Sequence, residues 1–249
     1  MKTKDHRPSD DNIAASTDWK RLYQVAAIAA ILVVLVGLLD IALSMRVSQA
    51  QENSTVSIIQ WFTLFRNNAF EAFRQLGLFN IINLLLAVPL YLALHHLHRE
   101  TQPAFAGLSV LLFVIGTAIY ISSNSAFPLF AISRQYAAAP EAQKAAVEMI
   151  GAATLAQGAD LTPGTFMGFI LTEFAGMLMA FVLLREGLFG KATAWVGMLG
   201  LGVLAVFNVM VAFTPEFFNV AMGIAIPGGL LSMAYYLLLA RRLFQLAKA

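Results

Sequence analysis

The sequence predicts an all-α integral membrane protein, a bundle of six transmembrane helices with two extra helices in its outer loops. Hydrophobic residues make up 59% of the 249 residues and charged residues only 12%, whereas soluble domains carry about 25% charged residues. The mean hydropathy is +0.73. The apolar residues fall into runs of about 20 or more, each long enough to cross about 30 Å of hydrocarbon as a helix. Such a chain has too little polar surface to dissolve in water.

The first apolar run, residues 22–45, is too long for a cleaved signal sequence, whose apolar part has about 7 to 15 residues. We therefore predict that it is a retained helix. The His-rich turn at residues 95–99 joins the second and third runs as a tight helical hairpin, and short connections follow at residues 185–191 and 214–216. The six spans are predicted at residues 22–45, 76–97, 104–127, 164–184, 192–213 and 217–240.

The distribution of Lys and Arg predicts that both termini lie in the cytoplasm, because basic loops stay on that side of the membrane. With the N-terminus inside, eleven of the 16 basic residues are cytoplasmic, and five lie outside: Arg46, Arg66, Arg74, Arg134 and Lys144. The chain then divides into a disordered cytoplasmic tail at residues 1–21, a transmembrane domain at 22–240 and a cytoplasmic tail at 241–249. Residues 1–20 are polar and show no apolar period, which is typical of disorder.

Two long outer loops each predict an extra helix. In residues 55–74 the apolar side chains recur near the helical period around polar residues, which is typical of a helix lying in the membrane interface. Residues 140–157 begin with Pro140, a good first helical residue, and are followed by Gly158, a good C-terminal cap. We expect both helices to cover the outer side of the bundle.

Several classes of function are not favoured by the sequence. With no cysteine, the chain has no disulfide framework and no thiolate site. The net charge is only +2, and the basic residues sit at helix ends, so nucleic acid is not an expected partner. His95, His96 and His98 mark the end of the second span better than they mark a metal site, because His95 and His96 point about 100° apart on a helix. No metal site is predicted, and no pattern identifies a cofactor.

Six polar side chains stand within the predicted spans, where a charge or an amide must find a partner. At about 1.5 Å per residue, all six fall in the outer half of the membrane, with Glu173 the deepest at about 14 Å. Gly176, one turn from Glu173, would allow another helix to approach it closely. The six candidate ligand-binding residues are Asp40, Asn80, Asn83, Asn124, Glu173 and Asn208.

Two interpretations of these residues stay open. Hydrogen bonds between Asn and Ser side chains commonly hold membrane helices together, which would make the six residues structural. Alternatively, they converge on one polar pocket that opens to the outside, because intramembrane ionisable groups often mark function. The second interpretation predicts that at least four of the side chains turn inward around a cavity.

Four stretches carry a resemblance to a known family. They are SNSAF at 123–127, SRQYAAA at 133–139, FVLLR at 181–185 and FGKATA at 189–194. Together they resemble an uncharacterised bacterial family of multi-pass membrane proteins, catalogued as a domain of unknown function. The resemblance covers the chain from about residue 22 to the C-terminus. It implies the fold and a bacterial inner-membrane location, and it implies no activity and no site residues.

Three hypotheses for function follow. In the first, the protein binds or transports a small molecule that enters the polar pocket from the outer side. In the second, it is an accessory or assembly subunit whose glycine-rich faces dock a membrane-protein partner or a second copy of the chain. In the third, it is an intramembrane enzyme using Glu173 as an acid or base, although no second catalytic group can be named. The lipid bilayer is a partner in all three, and the enzyme is the least favoured.

Overall fold

The protein is α-helical throughout the part of the chain described by the computed structural model, which covers residues 10–47 and 57–248, with side chains described for 17–44 and 57–248. In chain order the helices are α1 Asp10–Val47, α2 Ile58–Asn67, α3 Ala69–Gln75, α4 Leu78–His98, α5 Pro103–Ser123, α6 Ala126–Ala138, α7 Glu141–Gly158, α8 Pro163–Glu186, α9 Lys191–Phe213 and α10 Phe218–Lys248.

Six of these helices contain segments that are long and apolar enough to cross a membrane: α1, α4, α5, α8, α9 and α10. Each of them also exposes large apolar side chains, which in water would form an unusually large apolar surface. Such a surface is suited to contact with lipid tails. One exposed example from each helix is Leu38, Leu85, Leu111, Phe174, Leu199 and Leu230. The prediction of a six-span membrane protein is therefore confirmed.

The helix ends follow local signals in the sequence. Pro103 and Pro163 each stand at the start of a helix, where the missing N–H is not needed. Thr162 adds a capping box at the start of α8 by pairing with Thr165. Gly187 ends α8 with a φ of 71°, a left-handed conformation that favours glycine.

Two expectations for the spans need correction. The predicted tail at residues 1–21 is helical from Asp10 onwards, because α1 continues beyond the apolar run; residues 1–9 lie outside the described part. The predicted third span at 104–127 ends earlier, at Ser123, and a separate helix α6 follows it. The C-terminal segment 241–249 continues α10 as far as Lys248.

The six spanning helices form a closed ring. Each packs against two neighbours, in the order α1, α4, α5, α8, α9, α10 and back to α1. Across the ring, α4 touches α8 only lightly. The apolar core of the ring holds Tyr91, Met179, Leu183 and Tyr235, among others. A ring with so little contact across its centre leaves room for an interior cavity.

Glycines set the closest helix contacts in this ring, as expected for membrane helices. A Cβ atom on Gly168 of α8 would lie 2.5 Å from Tyr120 Cβ on α5, which is closer than packed atoms allow. A Cβ atom on Gly200 of α9 would lie 2.8 Å from the Ser232 backbone nitrogen on α10. Gly168 and Gly200 therefore allow close packing between neighbouring helices.

The four shorter helices α2, α3, α6 and α7 form a separate group, called here the loop layer. They contact one another around a small apolar core that includes Phe62, Phe65 and Leu129. The helix predicted in residues 55–74 is confirmed as two helices that meet at Asn68, with residues 55–56 outside the described part. The helix predicted at 140–157 is confirmed as α7, with Pro140 as its N-cap. The loop layer lies at the chain ends of α1, α4, α5 and α8 that the Lys and Arg count assigns to the outside.

Candidate functional site

A cavity of about 270 Å³ lies at the centre of the ring, lined by side chains from all six spanning helices. Val33 represents α1, and Phe113 represents α5. Among the six residues predicted from the sequence, four line this cavity: Asn80, Asn83, Glu173 and Asn208. The structure thus brings together the polar groups of three different helices, α4, α8 and α9.

Glu173 is the single carboxyl group on the cavity wall among the described residues. Its side chain is only 7% exposed. One carboxyl oxygen, Oε1, accepts a short hydrogen bond from Nδ2 of Asn208. The other oxygen, Oε2, is buried and has no hydrogen-bond partner in the described part of the chain. A buried carboxyl oxygen without a hydrogen-bond partner lowers the free energy of unfolding, unless a donor from outside the chain binds it.

The close packing around Glu173 depends on Gly176, as the sequence predicted. A Cβ atom at Gly176 would lie 2.4 Å from Leu201 Cδ1 and 2.9 Å from the Tyr91 hydroxyl oxygen. Leu201 belongs to α9 and Tyr91 to α4, and both line the cavity. Glycine at this position therefore lets α4, α8 and α9 meet beside the carboxyl group.

Two more buried polar atoms on the cavity wall lack a partner among the described residues, Asn83 Oδ1 and Ser232 Oγ. With Glu173 Oε2, they make up three of the seven such side-chain atoms found in the described part of the chain. Buried polar atoms in native proteins are nearly always hydrogen-bonded, so a local concentration of exceptions calls for a physical explanation. The cavity offers one, because all three residues line it and a ligand or water held there is a source of hydrogen-bond partners.

The rest of the cavity wall is largely apolar, includes five aromatic side chains and carries no positive charge among the described residues. Tyr91 and Phe113 stack with their ring centroids 3.9 Å apart. Phe169, Phe207 and Tyr236 also line the cavity. The site is therefore one acidic group with polar atoms beside it, on a wall that includes aromatic rings, a type of side chain that attracts cations.

Sequence reasoning missed Asp160, in the turn between α7 and α8. Its Oδ1 accepts a hydrogen bond of 2.7 Å from the Tyr120 hydroxyl, and its Oδ2 accepts one of 2.7 Å from Asn80 Nδ2. Asp160 thus joins a turn, α4 and α5 at the end of the cavity where Leu161 lines the wall. Asp160 lies in a turn and not within a predicted span, where a carboxyl group stands out from its apolar neighbours. Its position between the α7 glycine and the Thr-Pro start of α8 was the available signal.

Gly77 makes this network possible. Its φ of 92° lies in the left-handed region that favours glycine. A Cβ atom there would lie 2.3 Å from the Tyr120 hydroxyl oxygen and 3.0 Å from Asp160 Cγ. Any larger residue would both strain the backbone and displace the hydrogen-bonded pair.

Asn124, expected in the pocket, lies outside the cavity. Its Nδ2 donates to the carbonyl of Leu76 at 2.8 Å, and its Oδ1 accepts from the Ala126 amide at 2.9 Å. Both ends of the amide therefore serve the backbone where α5 stops and α6 begins. Asn side chains readily bind nearby backbone groups in this way, which breaks helices, and it explains why the third span ends early.

Asp40, also expected in the pocket, lies outside it and forms an ion pair with Arg74. Arg74 of α3 approaches Asp40 Oδ1 at 2.9 Å and Glu71 Oε1 at 2.7 Å. The side chain of Arg74 is 4% exposed. Hydrogen bonding to Arg74 lowers the pKa of Glu71 below its usual value of 4.5, and the same bond raises the pKa of Arg74. Asp40 thus ties α1 to the loop layer.

The cavity wall includes no described residue of α2 or α3, and its loop contribution comes from Leu161.

At the other end of the ring, His96 stacks on Trp19 at 3.5 Å between ring centroids. Its Nδ1 lies 2.6 Å from the Tyr23 hydroxyl oxygen. His96 therefore joins α4 to α1.

Comparison with known proteins supplies a family but no activity. No curated protein and no solved structure matches the chain. One family model matches residues 62–240, more than two thirds of the chain. The matched region runs from the loop layer through most of α10 and holds every polar residue of the cavity wall. The chain therefore belongs to the family described as domain of unknown function DUF4386.

Proposed function

We propose that the protein binds a small organic cation, an amine, in the central cavity. The observation that supports this best is the buried carboxyl of Glu173, one of whose oxygens has no partner among the described residues. It sits on a wall that contains Asn83 and Ser232, also with open polar atoms, and no positively charged side chain among those described.

The chemistry of the wall favours an ammonium group over other ligands. A primary ammonium has three N–H donors and no acceptor, which suits a carboxyl oxygen, an amide oxygen and a hydroxyl. Charge-assisted hydrogen bonds of this kind are about twice as strong as neutral ones. The aromatic rings of Tyr91, Phe113 and Phe207 add cation–π attraction, which strengthens when the cation is removed from water. An anionic ligand would instead face the Glu173 carboxyl.

A thermal-shift assay on purified protein in detergent tests this proposal. The probes are 2-phenylethylamine and shorter primary amines, each compared with the alcohol of the same skeleton. The amines should raise the melting temperature and the alcohols should not. Glu173→Gln should weaken amine binding by at least about tenfold, because it removes the charge of the carboxyl group.

Glu186→Gln is the matched control, since Glu186 lies on the same helix, α8, and outside the cavity wall. It should bind the amines as the wild type does. The proposal fails if no amine shifts the melting temperature, or if Glu173→Gln and Glu186→Gln respond alike.

The proposal also places the loop layer outside a bacterial inner membrane, as the Lys and Arg distribution and the family resemblance suggest. Because the chain has no cysteine, single introduced cysteines report topology cleanly. Gln143→Cys on α7 should react with an impermeant maleimide in intact cells, and Thr101→Cys between α4 and α5 should react only after lysis. The reverse pattern would turn the loop-layer end of the cavity towards the cytoplasm.

A further inference from the structure

A second pocket, of about 250 Å³, lies in the loop layer between α2, α6 and α7. It shares no lining residue with the central cavity. Three basic side chains line it, Arg66, Arg134 and Lys144. The two pockets therefore have opposite electrostatic character: an acidic group in the ring and a basic group in the loop layer.

Four of the basic residues assigned to the outer side have described side chains, and their partners differ. Arg74 is held by Asp40 and Glu71. Lys144 is paired with Glu141 at 2.7 Å. Arg66 and Arg134 form no ion pair and no hydrogen bond within the described part of the chain, and both line the same pocket. Cations without carboxylate partners are thus concentrated at one place.

The carboxyl groups near this pocket are already engaged. Glu141 is bound by Lys144, and Glu148 accepts a 2.8 Å hydrogen bond from the Tyr136 hydroxyl. Neither Glu141 nor Glu148 lines the pocket. No carboxylate on the pocket wall therefore neutralises the positive charge of Arg66 and Arg134, and that charge can attract an anion.

The pocket wall is held by packed aromatic rings. Phe62 and Tyr136 lie 4.9 Å apart between ring centroids, and Phe65 and Phe130 lie 5.6 Å apart. Phe62 and Phe65 are almost fully buried. A Cβ atom at Gly151 of α7 would lie 2.5 Å from Phe62 Cζ, so glycine lets α7 close against α2. The basic groups therefore stand on a preformed scaffold.

We infer that this pocket binds an oxyanion, a phosphate or a phosphate ester, through Arg66 and Arg134. The planar fork of a guanidinium group matches phosphate oxygens and donates two parallel hydrogen bonds. The hydroxyl of Thr63, which also lines the pocket, supplies a further donor, and the aromatic wall accepts an apolar body attached to the phosphate. The phosphate belongs either to the headgroup of an anionic phospholipid or to a soluble molecule.

Isothermal titration of the purified protein in detergent tests the inference with two probes, inorganic phosphate and water-soluble dihexanoyl phosphatidylglycerol. At least one should bind, and binding should weaken as salt rises, because exposed charges are screened. Arg66→Gln and Arg134→Gln should each weaken binding by about tenfold or more, the effect of losing a charge-assisted hydrogen bond. Both side chains are exposed, so thermal melting should confirm that the variants fold.

Arg241→Gln is the matched control, because Arg241 is also exposed, lies at the other end of the ring and changes the net charge equally. Binding of both probes with loss in the two pocket variants supports a site for free phosphate groups. Binding of the lipid alone, with the same loss, supports a headgroup site. The inference is overturned if neither probe binds, or if Arg66→Gln and Arg134→Gln bind as Arg241→Gln does.

Discussion

Two carboxyl groups near the centre of this protein differ in how completely they are hydrogen-bonded. Asp160 uses both oxygens, one with Tyr120 and one with Asn80. Glu173 uses one oxygen with Asn208 and leaves the other without a partner among the described residues. Both groups lie close to the same cavity, since Asn80 lines it and also binds Asp160.

This difference separates a structural group from a candidate ligand-binding group. The bonds of Asp160 join the α7–α8 turn to α4 and α5, so these hydrogen bonds stabilise the assembly of those elements. The open oxygen of Glu173 contributes nothing to the fold that the described residues show, and it carries a desolvation cost. We therefore expect changes at Asp160 to affect stability and changes at Glu173 to affect binding.

The largest expected effect is at Asp160. Asp160→Ala removes the acceptor for Asn80 Nδ2 and leaves the fully buried Tyr120 hydroxyl with only the Gly77 carbonyl at 3.5 Å. Buried donors that lose their partners cost about 1 to 3 kcal/mol each. We expect a loss of about 3 kcal/mol in the free energy of unfolding, measured by denaturant titration in mixed micelles. Glu216→Ala, at an exposed position, is the control and should change little. A loss at Asp160 no larger than the control's would refute its structural role.

Arg74 tests whether the loop layer depends on its own buried ion pairs. Arg74→Gln leaves Asp40 and Glu71 without their cation. Because Asp40 keeps 36% of its side chain exposed, water offsets part of the loss, and we expect about 2 kcal/mol. Arg66→Gln, which removes an exposed Arg with no ion pair, should cost less than about 0.5 kcal/mol. Equal losses in the two variants would show that the ion pairs of Arg74 do not stabilise the protein.

The same cluster predicts a pH dependence. The pKa of Glu71 is lowered in the folded protein by its bond to Arg74. The stability that comes from this bond is therefore present above the unfolded pKa of about 4.5 and is lost as the pH falls through the lowered value. Melting temperatures measured from about pH 6 down to about pH 3.5 should fall more steeply for the wild type than for Arg74→Gln. Parallel curves would argue against the contribution of Glu71.

Among the buried groups tested, Glu173 has the smallest expected effect on stability. In Glu173→Gln the new amide oxygen still accepts from Asn208, so the one hydrogen bond seen in the fold is kept. The change replaces a carboxyl group whose second oxygen had no partner among the described residues. We expect the free energy of unfolding to shift by less than about 1 kcal/mol, in the same assay as for Asp160. A loss comparable to that of Asp160→Ala would mean that Glu173 is structural.

The spans were predictable because hydrophobic length is a local property of the sequence. Pro163 and Gly187, which bound α8, act through their own backbone and need no distant partner. The break at Asn124 was not predictable in this way, because its amide binds Leu76 of a different segment. The helical start of α1 was missed because its first turns carry no apolar period.

In the candidate site, too, the local features could be predicted and the contacts with distant residues could not. The depth of Asn80, Asn83, Glu173 and Asn208 could be estimated by counting residues, and these four do line one cavity. Asp40 and Asn124 have comparable depths by that count, yet Arg74 and the Leu76 carbonyl bind them elsewhere. Depth along a helix says nothing about rotation around its axis or about partners supplied by a loop.

Composition and hydropathy were enough to establish that the chain is a helical membrane protein with six spans, because each span must satisfy its own backbone inside lipid. Only the packing of the helices decided that the spans close into a ring with a cavity at its centre. The same packing gave Asp160 two partners and Glu173 one. Hydrogen-bond completeness depends on atoms far apart in the chain, and those atoms meet only in the folded protein.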